Sequence, residues 1–215
     1  MIQLHYYPGN ASMAPHMLLE ELGVPFELRL VDRTVQAHKS AGYLRMNPNG
    51  LIPVMVDGDL ILYETAAILL HLADTHPVAG LAPALGTTER AQFYKWLMWL
   101  TNTLQASLIL YFYPERWVDE GNATGAAQVK AHAEAKVGGL LDQMDAHLAS
   151  HGQKWFLGER FSVLDPLAFL LCRWTRGFGR PARSLPHLGP YLQRMLGRPA
   201  VRRAFETEKL PSPFV

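Results

Sequence analysis

Asn47-Pro48-Asn49-Gly50-Leu51-Ile52-Pro53, running on through Val54-Met55-Val56-Asp57-Gly58-Asp59-Leu60-Ile61-Leu62-Tyr63 to Glu64-Thr65, is the stretch whose reading decides the fold. Prolines on both sides of a glycine mark a rigid bend. A proline opening a strand is compatible with a cis peptide bond, which would expose the main chain of Ile52 to a ligand. Residues 53–56 and 60–62 flank Asp57-Gly58-Asp59, a hairpin signal. Residues 64–75 then read as a helix, with Ala67, Ile68, Leu70, Leu72 and Ala73 as its packing residues. Glu64 and Thr65 fall at the start of that helix. Free N–H groups and positive potential there suit a carboxylate, and the same residues also suit an ordinary cap.

Upstream, Ile2, Leu4 and Tyr6 alternate with Gln3 and His5 before Pro8-Gly9, which predicts a strand and a turn. Residues 13–22 predict a helix with Met17, Leu18 and Leu22 on one side, Ser12 as its cap and Gly23 as its stop. Residues 26–31 alternate as a second strand. Residues 32–46 are polar and irregular, with one short helix at 41–46. The order is βαβ, a polar connection, then ββα. Residues 77–87 are rich in Pro, Gly and Ala without charge and read as a linker. Beyond it only helices are predicted, at 88–112, 123–148, 164–177, 188–196 and 200–208. The domain division expected is therefore 1–76, a linker at 77–87, and 88–215.

Composition excludes several classes of function. Of 215 residues, 49% are hydrophobic, which is ample for a core, and the net charge of +1 argues against a nucleic-acid surface. One cysteine, Cys172, makes neither an internal disulfide nor a Cys-x-x-Cys redox or zinc motif, so no metal is expected. Charged residues are only 18%, below the roughly 25% of soluble domains. That points to surface buried against a partner, or to a membrane. Residues 96–113 carry no charge, but Thr101, Asn102, Thr103, Gln105 and Ser107 lie near the middle, where hydrocarbon penalises them. Asn102, Gln105 and Ala106 share one helical face, so a buried amphipathic helix is expected rather than a membrane span. The opening MIQLHYYPGN shows no basic leader or long apolar run, which sets the expected location as cytoplasmic.

One more segment invites chemistry. Tyr6-Tyr7-Pro8-Gly9-Asn10-Ala11-Ser12 joins a strand to a helix start, and a thiolate held at a helix start has a lowered pKa. The donors available to such an anion are the Ser12 hydroxyl, the Tyr6 or Tyr7 phenol, and the Asn10 amide. Ser12 also fits a plain capping role.

Taken together, Tyr7-Pro8-Gly9, Asn47-Pro48-x-Gly50-x-Ile52-Pro53, Glu64-Thr65-x-Ala67-Ile68 and Phe161-Ser162-x-x-Asp165 give the chain a resemblance, over essentially its full length, to the glutathione S-transferase superfamily. The resemblance implies an α/β thioredoxin-like N-terminal domain followed by an all-α C-terminal helical domain. It also implies a cytoplasmic homodimer active in detoxification, with glutathione as cosubstrate and a small hydrophobic electrophile as the other substrate. No nucleic acid or membrane partner is implied. Residue by residue, Ile52 would bond the cysteinyl main chain of glutathione, with Pro53 in cis. Glu64 and Thr65 would hold the γ-glutamyl end, Lys39 (or His38) would meet the glycyl carboxylate, and Ser12 would donate to the sulfur as the catalytic group. Tyr111, Phe112, Tyr113, Trp117, Trp174 and Phe178 would line an apolar electrophile site between the domains.

The opening Pro-Gly-x-x-Ser-x-x-Pro-His is most similar to the bacterial beta class. That class has a cysteine immediately before this serine, where this chain has Ala11, and its helical histidine falls at Gln105. A mixed disulfide at Ala11 is impossible, and Cys172 reads as an inert core residue. The implied reaction is activation of the glutathione thiol for attack on an electrophile. The alternatives are a non-catalytic binding or scaffold protein, or a glutathione-dependent isomerase, dehalogenase or peroxidase on the same fold.

Overall fold

The computed structural model describes all residues, Met1–Val215. The chain divides into two compact units. The first comprises Met1–Ala82 with Met195–Ser212, and the second Pro83–Arg194 with Pro213–Val215. The cut falls at Ala82, inside the Pro/Gly/Ala-rich stretch, and the first unit also takes in a helix from the far end of the chain.

In the first unit a four-stranded sheet is ordered β2-β1-β3-β4, built from β1 (Ile2–Tyr6), β2 (Phe26–Leu30), β3 (Val54–Asp57) and β4 (Leu60–Tyr63). β1 runs parallel to β2 and antiparallel to β3, with Leu4 opposite both Leu28 and Met55. The parallel pair needs a crossover, which α1 (Met13–Leu22) supplies, and the hairpin needs only the turn at Gly58, whose φ is +58°. α1 stops where expected: Gly23 is left-handed and its N–H closes on the Leu19 carbonyl. α2 (Ala41–Met46) and α3 (Thr65–Thr75) follow as the sequence predicts, except that Glu64 stands outside α3. This mixed βαβ–ββα sheet is the thioredoxin-like arrangement expected. It is completed by α9 (Pro199–Thr207), which packs on α1.

The second unit is helical. α4 (Thr88–Trp99) and α5 (Ala106–Phe112) are joined without a break by a π-helical turn, Leu100–Gln105. Its cause is visible in the hydroxyls: Thr101 Oγ1 bonds the carbonyls of Leu97 and Met98, and Ser107 Oγ bonds that of Thr103. These side chains compete for the helix ladder. α6 (Ala123–His151) runs three residues past its predicted end, to a left-handed Gly152. α7 (Leu164–Trp174) is buried along nearly its whole length, with Phe169 and Leu170 fully so. Each such side chain stabilises the fold by about 1.5–3 kcal/mol. Its start is fixed by Asp165, which accepts from the N–H groups of Phe156 and Ser162 and from the Tyr191 hydroxyl. α8 (Leu188–Leu196) has the predicted bounds. No helix of the chain is long and apolar enough to cross a membrane.

Candidate active site

The loop that precedes β3 is locked from within. Asn47, 2% exposed, donates from Nδ2 to the Leu51 carbonyl at 2.9 Å and accepts from the Asn49 N–H at 3.1 Å. The Tyr43 hydroxyl donates to the same Leu51 carbonyl at 2.8 Å, and burial pushes the Tyr43 phenol well above its ordinary range, so it remains a donor. Gly50 has φ +60°, and a Cβ there would lie 2.8 Å from Lys39 Nζ and 3.0 Å from the His38 carbonyl, so a side chain at this position is strained and crowded. The Ile52–Pro53 peptide is cis. The Ile52 side chain packs with Val31, Tyr43 and Val54, and Tyr7 lies against the same cluster. The β1–β3 ladder ends at the pair His5–Val54, and neither the N–H nor the carbonyl of Ile52 is bonded within the chain. A main chain with both groups unused can pair with a peptide-like ligand.

The start of α3 is the second element. Glu64 is exposed at φ +70°, a conformation costing a non-glycine residue about 1–3 kcal/mol, and its carbonyl accepts the Ile68 N–H. Thr65 is 5% exposed, and no side chain caps this helix start.

A cavity of about 440 Å³ is lined by Tyr7, Arg33, Thr34, Gln36, His38 and Lys39. Lys39 is exposed and its Nζ lies 3.4 Å from the Asn49 carbonyl. The Arg33 guanidinium sits 5.7 Å from the centre of the Tyr7 ring. Burial, Lys39 and Arg33 hold the His38 imidazole below its ordinary range, so the cations in this cavity are Arg33 and Lys39. Such a lining suits a carboxylate.

At the β1–α1 turn the structure departs from expectation. Ser12 is fully buried and does not cap α1: it is itself helical in φ and ψ. Its hydroxyl reaches back, donating to the Tyr7 carbonyl and accepting the Tyr7 N–H, both at 3.2 Å. Asn10 is half-buried, and its Oδ1 accepts the Ala11 N–H at 2.6 Å. That bond fixes the amide orientation, since a flip would set two donors face to face. Asn10 Nδ2 is then left as an unused donor. Burial and the Glu208 carboxylate push the Tyr6 phenol up. Glu208 was invisible to sequence reasoning. It is one of two acids at the end of the last helix, with Glu206, and its Oε2 takes the Gly9 N–H at 2.7 Å.

In the second unit, Tyr111 packs on Phe178 with ring centres 4.2 Å apart and planes tilted by 39°, and Phe112 meets Trp174 edge-on at 6.1 Å. Phe178 is a core residue, 7% exposed, whereas Phe112 and Trp117 are exposed. Cys172 is buried and its thiol is pushed up to about 12, so it is no nucleophile.

Comparison with known proteins bears on both units. Residues 11–75 match the family model of the glutathione S-transferase N-terminal domain, and residues 100–199 that of the C-terminal domain. Glutathione S-transferase GST-4.5 of Xanthomonas campestris pv. campestris is 32% identical over 97% of this chain and 100% of its own length. A glutathione transferase homologue from Sulfitobacter, solved with bound glutathione, superposes with a TM-score of 0.88 at 27% identity over 98% of this chain and 99% of that one. A sphingomonad glutathione S-transferase complexed with glutathione gives 0.82 at 32% identity over 97% and 100%.

Proposed function

The chain belongs to the glutathione S-transferase family, and on that premise we propose that it is a glutathione transferase that holds glutathione on its first unit and readies the thiol at the β1–α1 turn. The observation that carries this reading is the unused main chain of Ile52, adjoining Pro53 in a loop that its own side chains have made rigid. It offers the cysteinyl part of the tripeptide an antiparallel pair of hydrogen bonds. The start of α3, with Glu64 and Thr65, binds the γ-glutamyl end, and Lys39, with Arg33 beside it in the cavity, binds the glycyl carboxylate. When bound, glutathione supplies the thiolate that attacks the electrophilic centre.

The chain's own part in that chemistry is to stabilise an anion at the start of α1. Ser12 was the expected donor, but its hydroxyl is spent on Tyr7. Asn10 Nδ2 fills the donor's place, with the field of the helix start behind it. Ser12 acts one step back, by holding the turn closed. The electrophile is small and hydrophobic, a reading supported by the exposed rings of Phe112 and Trp117. A cytoplasmic homodimer is consistent with the low charge content and with Tyr94 and Met98, exposed one helical turn apart on α4.

Retention on immobilised glutathione, released by free glutathione, tests the binding site. Turnover of aryl halides, epoxides and organic hydroperoxides tests the reaction. Binding with turnover of at least one electrophile is expected. Failure to bind at millimolar glutathione would leave a glutathione-transferase-like scaffold.

A further inference from the structure

We propose that Glu208 is a positioning residue for the thiol-holding turn, acting from the end of α9, some two hundred residues along the chain from the groups it holds. The proposal rests on the glutathione reading above and adds a residue that neither the motifs nor the matched segment of the helical domain includes. The Glu208 side chain is fully buried, and a buried carboxylate persists only with donors on its oxygens. Both oxygens have one: Oε2 takes the Gly9 N–H at 2.7 Å, and Oε1 meets His16 Nδ1 at 2.8 Å.

His16 is fully buried, edge-on to the rings of Tyr6 and Phe26 at 6.4 and 5.7 Å, and its Nε2 has no partner. The carboxylate can only accept, so His16 Nδ1 is the donor of that bond. Gly9 lies within the turn, and His16 on the first turn of α1. One carboxylate therefore spans the segment that contains Asn10, Ala11 and Ser12.

The clamp has a second end. Arg198, at the start of α9, pairs with Glu21, and Arg203 Nε pairs with Glu20 at 2.5 Å, both acids at the far end of α1. α9 thus lies antiparallel along α1. It ties the C-terminal part of α1 with exposed or half-exposed ion pairs and the N-terminal part with a buried carboxylate. Of these, only the Glu208 contact reaches the turn, where it holds the main chain of Gly9, the residue before Asn10. Ser12 closes the same turn from inside by binding Tyr7, so the donor is held from both sides.

The test uses the full chain as wild type, Glu208→Ala and Glu208→Gln. Three quantities are measured: amide exchange across residues 7–16, glutathione affinity with the number of binding sites counted by calorimetry, and turnover per site. The Ala variant is expected to exchange the Gly9 amide about tenfold faster, the equivalent of one lost hydrogen bond. Its turnover per site is expected to fall about tenfold, with glutathione affinity within about threefold of wild type. Gln, which keeps an acceptor for Gly9, falls between the two. A role in global stability alone would lower the number of sites and leave turnover per site intact, and that result overturns the proposal. So does unchanged Gly9 exchange. If Ala does not fold, Gln against wild type decides on the same readouts. A wild-type chain that binds no glutathione defeats the glutathione reading instead, and the exchange measurement then decides the clamp by itself.

Discussion

The Ser12 hydroxyl and the main chain of Tyr7 are bonded in both directions, O–H to carbonyl and N–H to oxygen, each at 3.2 Å. That reciprocal pair turns a residue expected to donate to a thiol into a closure for the turn that presents the thiol. Ser12→Ala should therefore act first on stability. Losing the pair leaves the part-buried Tyr7 N–H without its acceptor, while the Tyr7 carbonyl keeps the Asn10 N–H at 3.1 Å, and should cost about 1–3 kcal/mol in denaturant unfolding. Turnover of the folded variant should fall less than tenfold. A hundredfold loss at unchanged stability would return Ser12 to the role of thiol donor.

Asn10→Ala should show the opposite pattern. It removes the outward donor while α1 and its packing persist, so the unfolding midpoint should hardly move. Turnover should fall by about ten- to a hundredfold, toward the range seen when an oxyanion donor is deleted. Asn10→Asp keeps the bond to the Ala11 N–H but sets a carboxylate against the thiolate, and it should fall further than Ala. The comparison of steady-state rates across the three proteins checks this ordering.

Tyr43 and Asn47 both bond the Leu51 carbonyl, one residue before Ile52. Tyr43→Phe removes one of the two while keeping the ring in its cluster. The fold should lose about 1 kcal/mol, and glutathione affinity measured by calorimetry should weaken severalfold as the loop before β3 loosens. Unchanged affinity would show that the loop holds Ile52 without Tyr43.

Asp165 gives a pH signature to the second unit. Burial pushes its carboxyl from the ordinary 3.8 up to about 6, against the pull of its hydrogen bonds to Phe156, Ser162 and Tyr191. A folded-state pKa above the unfolded one means that folding takes up a proton between the two. The contribution is fully present below about pH 4 and is lost as pH rises through about 6. Chemical denaturation of wild type and Asp165→Asn from pH 4 to 7 should show their stability difference narrowing with rising pH, by up to about 3 kcal/mol. A constant or widening difference would mean the carboxylate is as well satisfied as in water.

The order of strands and helices along the first unit was legible because it rests on local signals. The Pro-Gly and Asp-Gly turns, the stop at Gly23 and the alternation in β1 each determine their own neighbourhood. The loop ending in Ile52-Pro53 was legible for the same reason, since Asn47, Gly50 and Leu51 are partners within a few residues. What stayed hidden depended on distant partners or on competition for one hydrogen bond. Whether Ser12 caps α1 or binds Tyr7 depends on which group reaches it first. The π turn at Leu100–Gln105 comes from hydroxyls whose rotamers no periodicity reveals. Glu208 is bound to Gly9 and His16 across nearly the whole chain, and α9 joins the first unit although its sequence continues the helical half.

A crystal structure of the chain with glutathione bound tests the central claim most directly. The account predicts the cysteinyl main chain paired with the N–H and carbonyl of Ile52, the sulfur within hydrogen-bond distance of Asn10 Nδ2, and the Ser12–Tyr7 bonds intact. Glutathione seated elsewhere, or its sulfur on a Ser12 hydroxyl that has let go of Tyr7, would contradict it.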